Sequence, residues 1–125
     1  MDTHLLLWAT ASSRRLPKEA RRLLESQDNQ LYCSAASLWE IAIKLTLRRP
    51  GFQVDLGRLR SALSEMGFEE LPVTGAHAER LVALPQIHKD PFDRILIAQS
   101  LCEPMVLLTN DEVLGEYSGS VRVTT

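Results

Sequence analysis

Apolar and polar positions alternate between two spacings along the chain, and the changes of spacing mark its elements. Leu5-Leu6-Leu7-Trp8-Ala9 is an apolar run too short to classify by itself. Pro17 to Ser26 has a helical period, with Ala20, Leu23 and Leu24 inward and Arg21, Arg22 and Glu25 outward. After the turn signal Asp28-Asn29, Leu31-Tyr32-Cys33 is a short β-prone run. Ser34 then opens a helix carrying Leu38, Trp39, Ile41, Ala42, Ile43 and Leu45, broken at Pro50-Gly51.

Asp55 caps a helix with Leu56, Leu59, Leu63 and Met66 on one face, closed by Gly67 just past its end. Phe68 to Val73 has the composition of a strand, and Thr74 caps a helix carrying Ala78, Leu81, Val82 and Leu84 up to Pro85. Asp90-Pro91 is an N-cap followed by the first helical position, where proline's missing N–H costs nothing. The helix it opens holds Ile95, Leu96, Ala98, Leu101 and Cys102 and stops before Pro104. Met105 to Leu108 is continuously apolar, as in a strand covered on both faces; Asn110 to Tyr117 has the composition of a short helix and Val121-Arg122-Val123 that of a last strand. Strands alternating with helices predict an α/β fold, a parallel sheet wrapped by helices.

At 125 residues the chain has the size of one domain over residues 1–125, with no repeat or linker. Hydrophobic residues at 45% and charged residues at 24% are those of a soluble globular protein. No apolar run approaches the ~18 residues that a membrane-crossing helix needs. Cys33 and Cys102 lie in apolar segments without metal-ligand spacing, which predicts free thiols and a cytoplasmic setting. The net charge of −2 neither announces nor excludes a nucleic-acid partner, because it hides local patches.

Four acidic residues stand at comparable places. Asp111 follows the strand Met105–Leu108, at the edge where open parallel sheets present their crevice. Asp2 precedes the first apolar block and fits the same edge, at the end of a strand whose earlier residues are missing. Asp93 lies in the first turn of its helix, where a capping role and a carboxylate aimed into a cleft are both open. On the apolar helix from Ser34, the polar positions Ser37, Glu40 and Lys44 form one narrow stripe. A capping box and an i,i+4 ion pair account for that stripe, and so does a functional groove.

Four carboxylates in one cleft would repel, and some would protonate at neutral pH. A divalent cation removes the conflict, and oxygen ligands favour Mg²⁺ or Mn²⁺. Zinc is disfavoured, because His4, His77 and His88 show no ligand spacing with either cysteine. Such a site suits phosphodiester hydrolysis, in which the metal offsets phosphoryl charge, activates water and steadies the leaving oxygen.

At these positions the chain resembles a known family. Asp2-Thr3-His4, the run from Ser34 to Lys44 (SAASLWEIAIK), the run from Asp90 to Gln99 (DPFDRILIAQ) and Thr109-Asn110-Asp111 are similar to the PIN-domain ribonucleases, and more narrowly to the VapC-type toxins of prokaryotic toxin–antitoxin pairs. The resemblance spans nearly the whole chain in the right order. It implies a PIN-like fold, with a central parallel sheet in the order 3-2-1-4-5 between helices. It also implies a Mg²⁺- or Mn²⁺-dependent endoribonuclease with Asp2, Glu40, Asp93 and Asp111 as metal-binding catalytic residues. The partners it implies are an RNA substrate, with transfer RNA suggested by the family alone, a VapB-type antitoxin whose tail reaches the groove, and a second copy in a homodimer. Family members carry several apolar residues before the first aspartate, whereas only Met1 precedes Asp2 here. The expectation is therefore a truncated first strand, its missing residues lying upstream of Met1 or, as the alternative, the sheet having a damaged centre, and Asp2's place depends on it.

Other classes fit less well. A phosphorylated receiver wants its acceptor aspartate at the end of the third strand and a lysine after the last, but the third strand ends in Pro72-Val73-Thr74 and no lysine follows Lys89. A histidine-based ribonuclease would need no metal and would leave a cyclic phosphate. A PIN nuclease acting in RNA processing, or a binding module that kept the fold, shares the same sequence features. Arg94 is read as a phosphate contact or a helix-surface residue, Arg48 and Arg49 as a solvated turn or an RNA-tracking pair, and His4 as a structural or proton-carrying side chain. The Thr3 and Thr109 hydroxyls are placed to orient a metal water or to bond the local backbone. Trp8 and Trp39 are read as core or dimer interface.

Overall fold

The structure, a computed structural model, describes all residues except 49, 118 and 119. Its order is α1 (Thr3–Thr10), α2 (Lys18–Glu25), β1 (Leu31–Ser34), α3 (Ala35–Thr46), α4 (Leu56–Glu65), β2 (Phe68–Leu71), α5 (Gly75–Val82), α6 (Pro91–Cys102), β3 (Leu107–Thr109) and β4 (Val121–Val123), with a 3₁₀ turn at Leu114–Glu116. The caps explain most boundaries. Ser34, Asp55, Thr74 and Asp90 each accept a backbone N–H in the first turn of the helix that follows. Gly67, at φ +91°, takes the left-handed position that ends α4.

The unclassified block Leu5–Ala9 is helix α1, because Asp2 caps it: Asp2 Oδ1 accepts the Leu5 N–H at 2.9 Å. Two elements are shorter than the sequence predicts. Strand β3 begins only at Leu107, leaving Val106 64% exposed, and the Asn110–Tyr117 helix reduces to one 3₁₀ turn. There Asp111 Oδ1 takes the Val113 N–H at 3.0 Å, and this side-chain turn competes with regular helix. On α5 the inward residues are His77 and Leu81, joined by Leu84 just past its end; Ala78 and Val82 are exposed, Val82 at 87%.

The α/β class and the parallel pairing hold, but the sheet is divided. β1 pairs with β2 and β3 with β4, each in parallel, as two separate two-stranded sheets. These are the outer pairs of the expected five-strand order. Between them the described residues form no central strand, and the one rung at that place is Asp2 N–H donating to the Leu108 carbonyl at 2.9 Å. A cleft of about 480 Å³ separates the halves, lined among others by Met1, Leu31, Tyr32, Leu107 and Leu108.

Helix α1 joins the halves through neighbouring residues. Leu6 packs with Cys33, Ile41, Leu63 and Phe68 behind β1 and β2. Leu5 packs with Leu16, Ala20 and Leu108 on the β3 side. Each such fully buried leucine contributes about 1.5–3 kcal/mol, so the join is stable without a continuous ladder. Beside β3 and β4, Leu96, Ile97 and Ala98 of α6 pack with Leu107, Leu114 and Tyr117. Gln99 ties three segments together: its Oε1 accepts from Ser34 Oγ at 2.6 Å and its Nε2 donates to the Pro72 carbonyl at 3.3 Å. The thiols are free, Cys33 buried and Cys102 half-buried. No helix among the described residues is long and apolar enough to cross a membrane.

Candidate metal centre

Asp90 Oδ1 accepts the Phe92 N–H at 2.8 Å and the Asp93 N–H at 3.4 Å, and Pro91 starts the helix behind it. This geometry sets Asp93 in the first turn of α6, facing the loop before it. His88 Nε2 in that loop lies 3.5 Å from Asp93 Oδ2 and 3.3 Å from Asp111 Oδ2. Asp111 stands just past β3, its N–H donated to Thr109 Oγ1 at 3.0 Å. One ligand atom from each of His88, Asp93 and Asp111 lies within 4.8 Å of the others.

Asp2 and Glu40 reach this region through two threonines. Thr109 Oγ1 donates to Asp2 Oδ2, so a single buried hydroxyl touches both Asp2 and the backbone of Asp111. Asp2 is 4% exposed, yet both of its oxygens are hydrogen-bonded. Thr3 Oγ1 donates to Glu40 Oε1 at 2.7 Å, and Lys44 Nζ lies 3.2 Å from Glu40 Oε2. The i,i+4 ion pair is therefore real, and Glu40 also faces the residue next to Asp2. One turn earlier on the same stripe, the Ser37 hydroxyl is buried and has no partner among the described residues.

The charges act on one another. Asp93 is pushed up from its ordinary 3.8 to about 7, first by burial and next by Asp90, with smaller contributions from Asp2 and Glu40; only His88 opposes them. The folded protein thus retains a proton that the unfolded chain releases above pH 4. In metal-free protein Asp93 is expected to contribute about 4 kcal/mol of stability at most below pH 4, lost as pH rises through about 7. Urea unfolding in EDTA across that range checks it. Added Mg²⁺ should flatten the part of the profile that differs between wild type and Asp93→Asn, and a difference that does not fall toward pH 7 would refute the assignment.

Other candidate residues lie elsewhere. Arg94 is buried, 9% exposed, and turned away: Nη1 donates to Gln86 Oε1 at 2.7 Å and Nη2 to the Leu81 carbonyl at 3.3 Å. It is neither a phosphate contact nor a surface residue, because it clamps the end of α5 to α6. Arg48 is an exposed turn residue at φ +50° that ends α3, and Arg49 lies outside the described residues. His4 is exposed and rests against Trp8, with ring centroids 6.2 Å apart. Trp39 is not core: it is 64% exposed and meets Phe92 edge-on at 5.3 Å. His88 is the polar neighbour that sequence reasoning passed over, although it stands only two residues before Asp90.

The donor set suits a hard divalent cation. Carboxylate oxygens predominate, and the burial and neighbouring carboxylates that raise Asp93 are what such an ion offsets.

A family model described as PIN domain matches residues 1–119 of the chain. Among solved structures, the chain is similar to a toxin–antitoxin complex from Klebsiella pneumoniae, at 27% identity and a TM-score of 0.68, covering 98% of this chain and 93% of that one. No curated protein sequence matches at a significant level.

Proposed function

The chain belongs to the PIN domain family, and on that premise we propose that it is the nuclease of a toxin–antitoxin pair, a Mg²⁺- or Mn²⁺-dependent endoribonuclease. The carrying observation is convergence: Asp93 and Asp111 meet at His88, and Asp2 and Glu40 both act on Asp93. Asp93 and Asp111 come together with His88, and Asp2, at the cap of α1, and Glu40 of α3 support the reading through their contacts with Thr109 and Thr3, although the four stand up to 109 positions apart in the sequence.

Asp93 and Asp111 would hold the metal, with Asp2 and Glu40 beside them. When bound, the ion supplies relief of phosphoryl charge and activation of water. The chain's own residues prepare the ground. Thr109 and the Leu5 N–H hold the Asp2 carboxylate in place, Thr3 and Lys44 do the same for Glu40, and the first turn of α6 fixes Asp93. Trp39 and Phe92, each one residue before a site carboxylate, put aromatic surface at the rim.

The similar complex from Klebsiella supports an antitoxin as partner, and the exposed Trp39, Val82 and Val106 leave apolar surface for it or for a second copy in a homodimer. The site, as a single domain's active centre, is tested directly. Purified protein should cleave single-stranded RNA to 5′-phosphate and 3′-hydroxyl ends, lose all cleavage in EDTA and regain it on addition of Mg²⁺ or Mn²⁺. Cleavage that persists in EDTA, or that leaves cyclic phosphate, rejects the proposal.

A further inference from the structure

The His88 ring lies against both Asp93 and Asp111, and three roles are open to it: metal ligand, proton carrier or hydrogen-bond donor. Its other nitrogen decides. Nδ1 accepts the backbone N–H of Asp90 at 3.0 Å. A nitrogen that accepts carries no hydrogen, so the neutral ring must carry its hydrogen on Nε2. That N–H points at Asp111 Oδ2, 3.3 Å away, with Asp93 Oδ2 at 3.5 Å. A metal-ligating histidine shows the reverse arrangement, with its distal N–H donated to an acceptor and a bare nitrogen toward the ion. The backbone around the ring is also pinned. The His88 N–H donates to Tyr117 Oη at 2.9 Å, and this buried tyrosine donates in turn to the Pro85 carbonyl at 3.0 Å.

We propose that His88 is a positioning residue of the metal centre: a ring locked as the Nε2–H tautomer by the Asp90 backbone, which donates its one hydrogen bond to Asp111, keeps Asp93 alongside at 3.5 Å, and is not itself a ligand. This rests on the proposed metal-dependent reading. The ring offsets repulsion between the two carboxylates and turns one oxygen of each toward a common point. The remaining oxygens then meet a cation without a further search over rotamers.

Two conservative substitutions separate the roles, because they keep different halves of the ring. His88→Gln retains an N–H donor at the reach of Nε2. His88→Asn retains an acceptor for the Asp90 N–H but cannot reach the carboxylates. Calorimetry with Mg²⁺ and with Ni²⁺, in the absence of RNA, is expected to show a loss of affinity of about 10- to 100-fold in His88→Asn. The loss should be the same for both ions and should be recovered largely in His88→Gln. The opposite order, with Asn near wild type and Gln impaired, assigns His88 to holding the loop and overturns the proposal. A loss confined to Ni²⁺ makes it a nitrogen ligand and also overturns it. Nitrogen-15 spectra of the wild-type imidazole in EDTA must show hydrogen on Nε2 and none on Nδ1; hydrogen on Nδ1 refutes the proposal whatever the metal data. If wild-type protein binds no divalent ion, the metal-dependent function falls, and the spectrum still judges the tautomer and its contacts.

Discussion

Asp93→Asn is expected to lower RNA cleavage by about 10³-fold or more, while the protein folds and becomes more stable at neutral pH. The two halves of this result have one cause. Asp93 sits where burial and three other carboxylates oppose its ionisation, so its charge is tolerated for the sake of a cation. An amide has similar size and polarity but cannot offset a divalent charge, and losing about 4 kcal/mol of transition-state stabilisation corresponds to that factor. The same amide removes the proton-linked penalty, so the fall in stability expected between pH 4 and 7 should flatten in the variant. Paired unfolding and cleavage assays check both. A variant that is inactive because it is unfolded would remove Asp93 from the site and make it a structural cap.

Thr109→Val should be the most damaging substitution of a residue that holds no metal. Valine keeps the shape, but it strips the donor from buried Asp2 Oδ2 and the acceptor from the Asp111 N–H. Each buried polar group left unpaired costs about 1–3 kcal/mol, and more when it is charged. A combined loss of about 3–5 kcal/mol in denaturant unfolding is expected, with cleavage reduced beyond what the unfolded fraction explains, because two site residues lose their orientation. Thr109→Ser keeps the hydroxyl and should stay within about 1.5 kcal/mol of wild type. Equal behaviour of the two variants would mean that the hydroxyl is dispensable.

The contrast between what could and could not be read along the chain follows interaction range. The starts of helices α3 and α6 were legible to the residue, because Ser34, Asp90 and Pro91 are local signals whose partners lie two or three positions away, whereas α3 ends at Thr46, before the break expected at Pro50. Strand identities were legible too, and so were the four carboxylates as candidates, Asp2, Asp93 and Asp111 from their places at helix starts and strand ends and Glu40 from the polar stripe of an apolar helix. The division of the sheet was foreshadowed by the single residue before Asp2, but the way the two halves join was not. Pairing across the middle depends on backbone contacts such as Asp2 with Leu108, which no local spacing encodes. Nor were the links within the site. Thr109 and Asp2 are separated by 107 positions, and His88 and Asp111 by 23. Arg94 and Trp39 show the same limit in reverse. Both follow the periodicity of helices that are mostly buried, yet their neighbours in space put the arginine inside and the tryptophan outside.

Helix α1 is short, only eight residues, and its first turn is also part of the acidic region: Asp2 caps it and Thr3 opens it, and these two meet Thr109 and Glu40. Fraying of this turn and disassembly of the site are therefore one event. Amide hydrogen exchange at Leu5, whose N–H rests on Asp2, serves as a built-in gauge of how often the acidic region comes apart, with no substrate needed to read it.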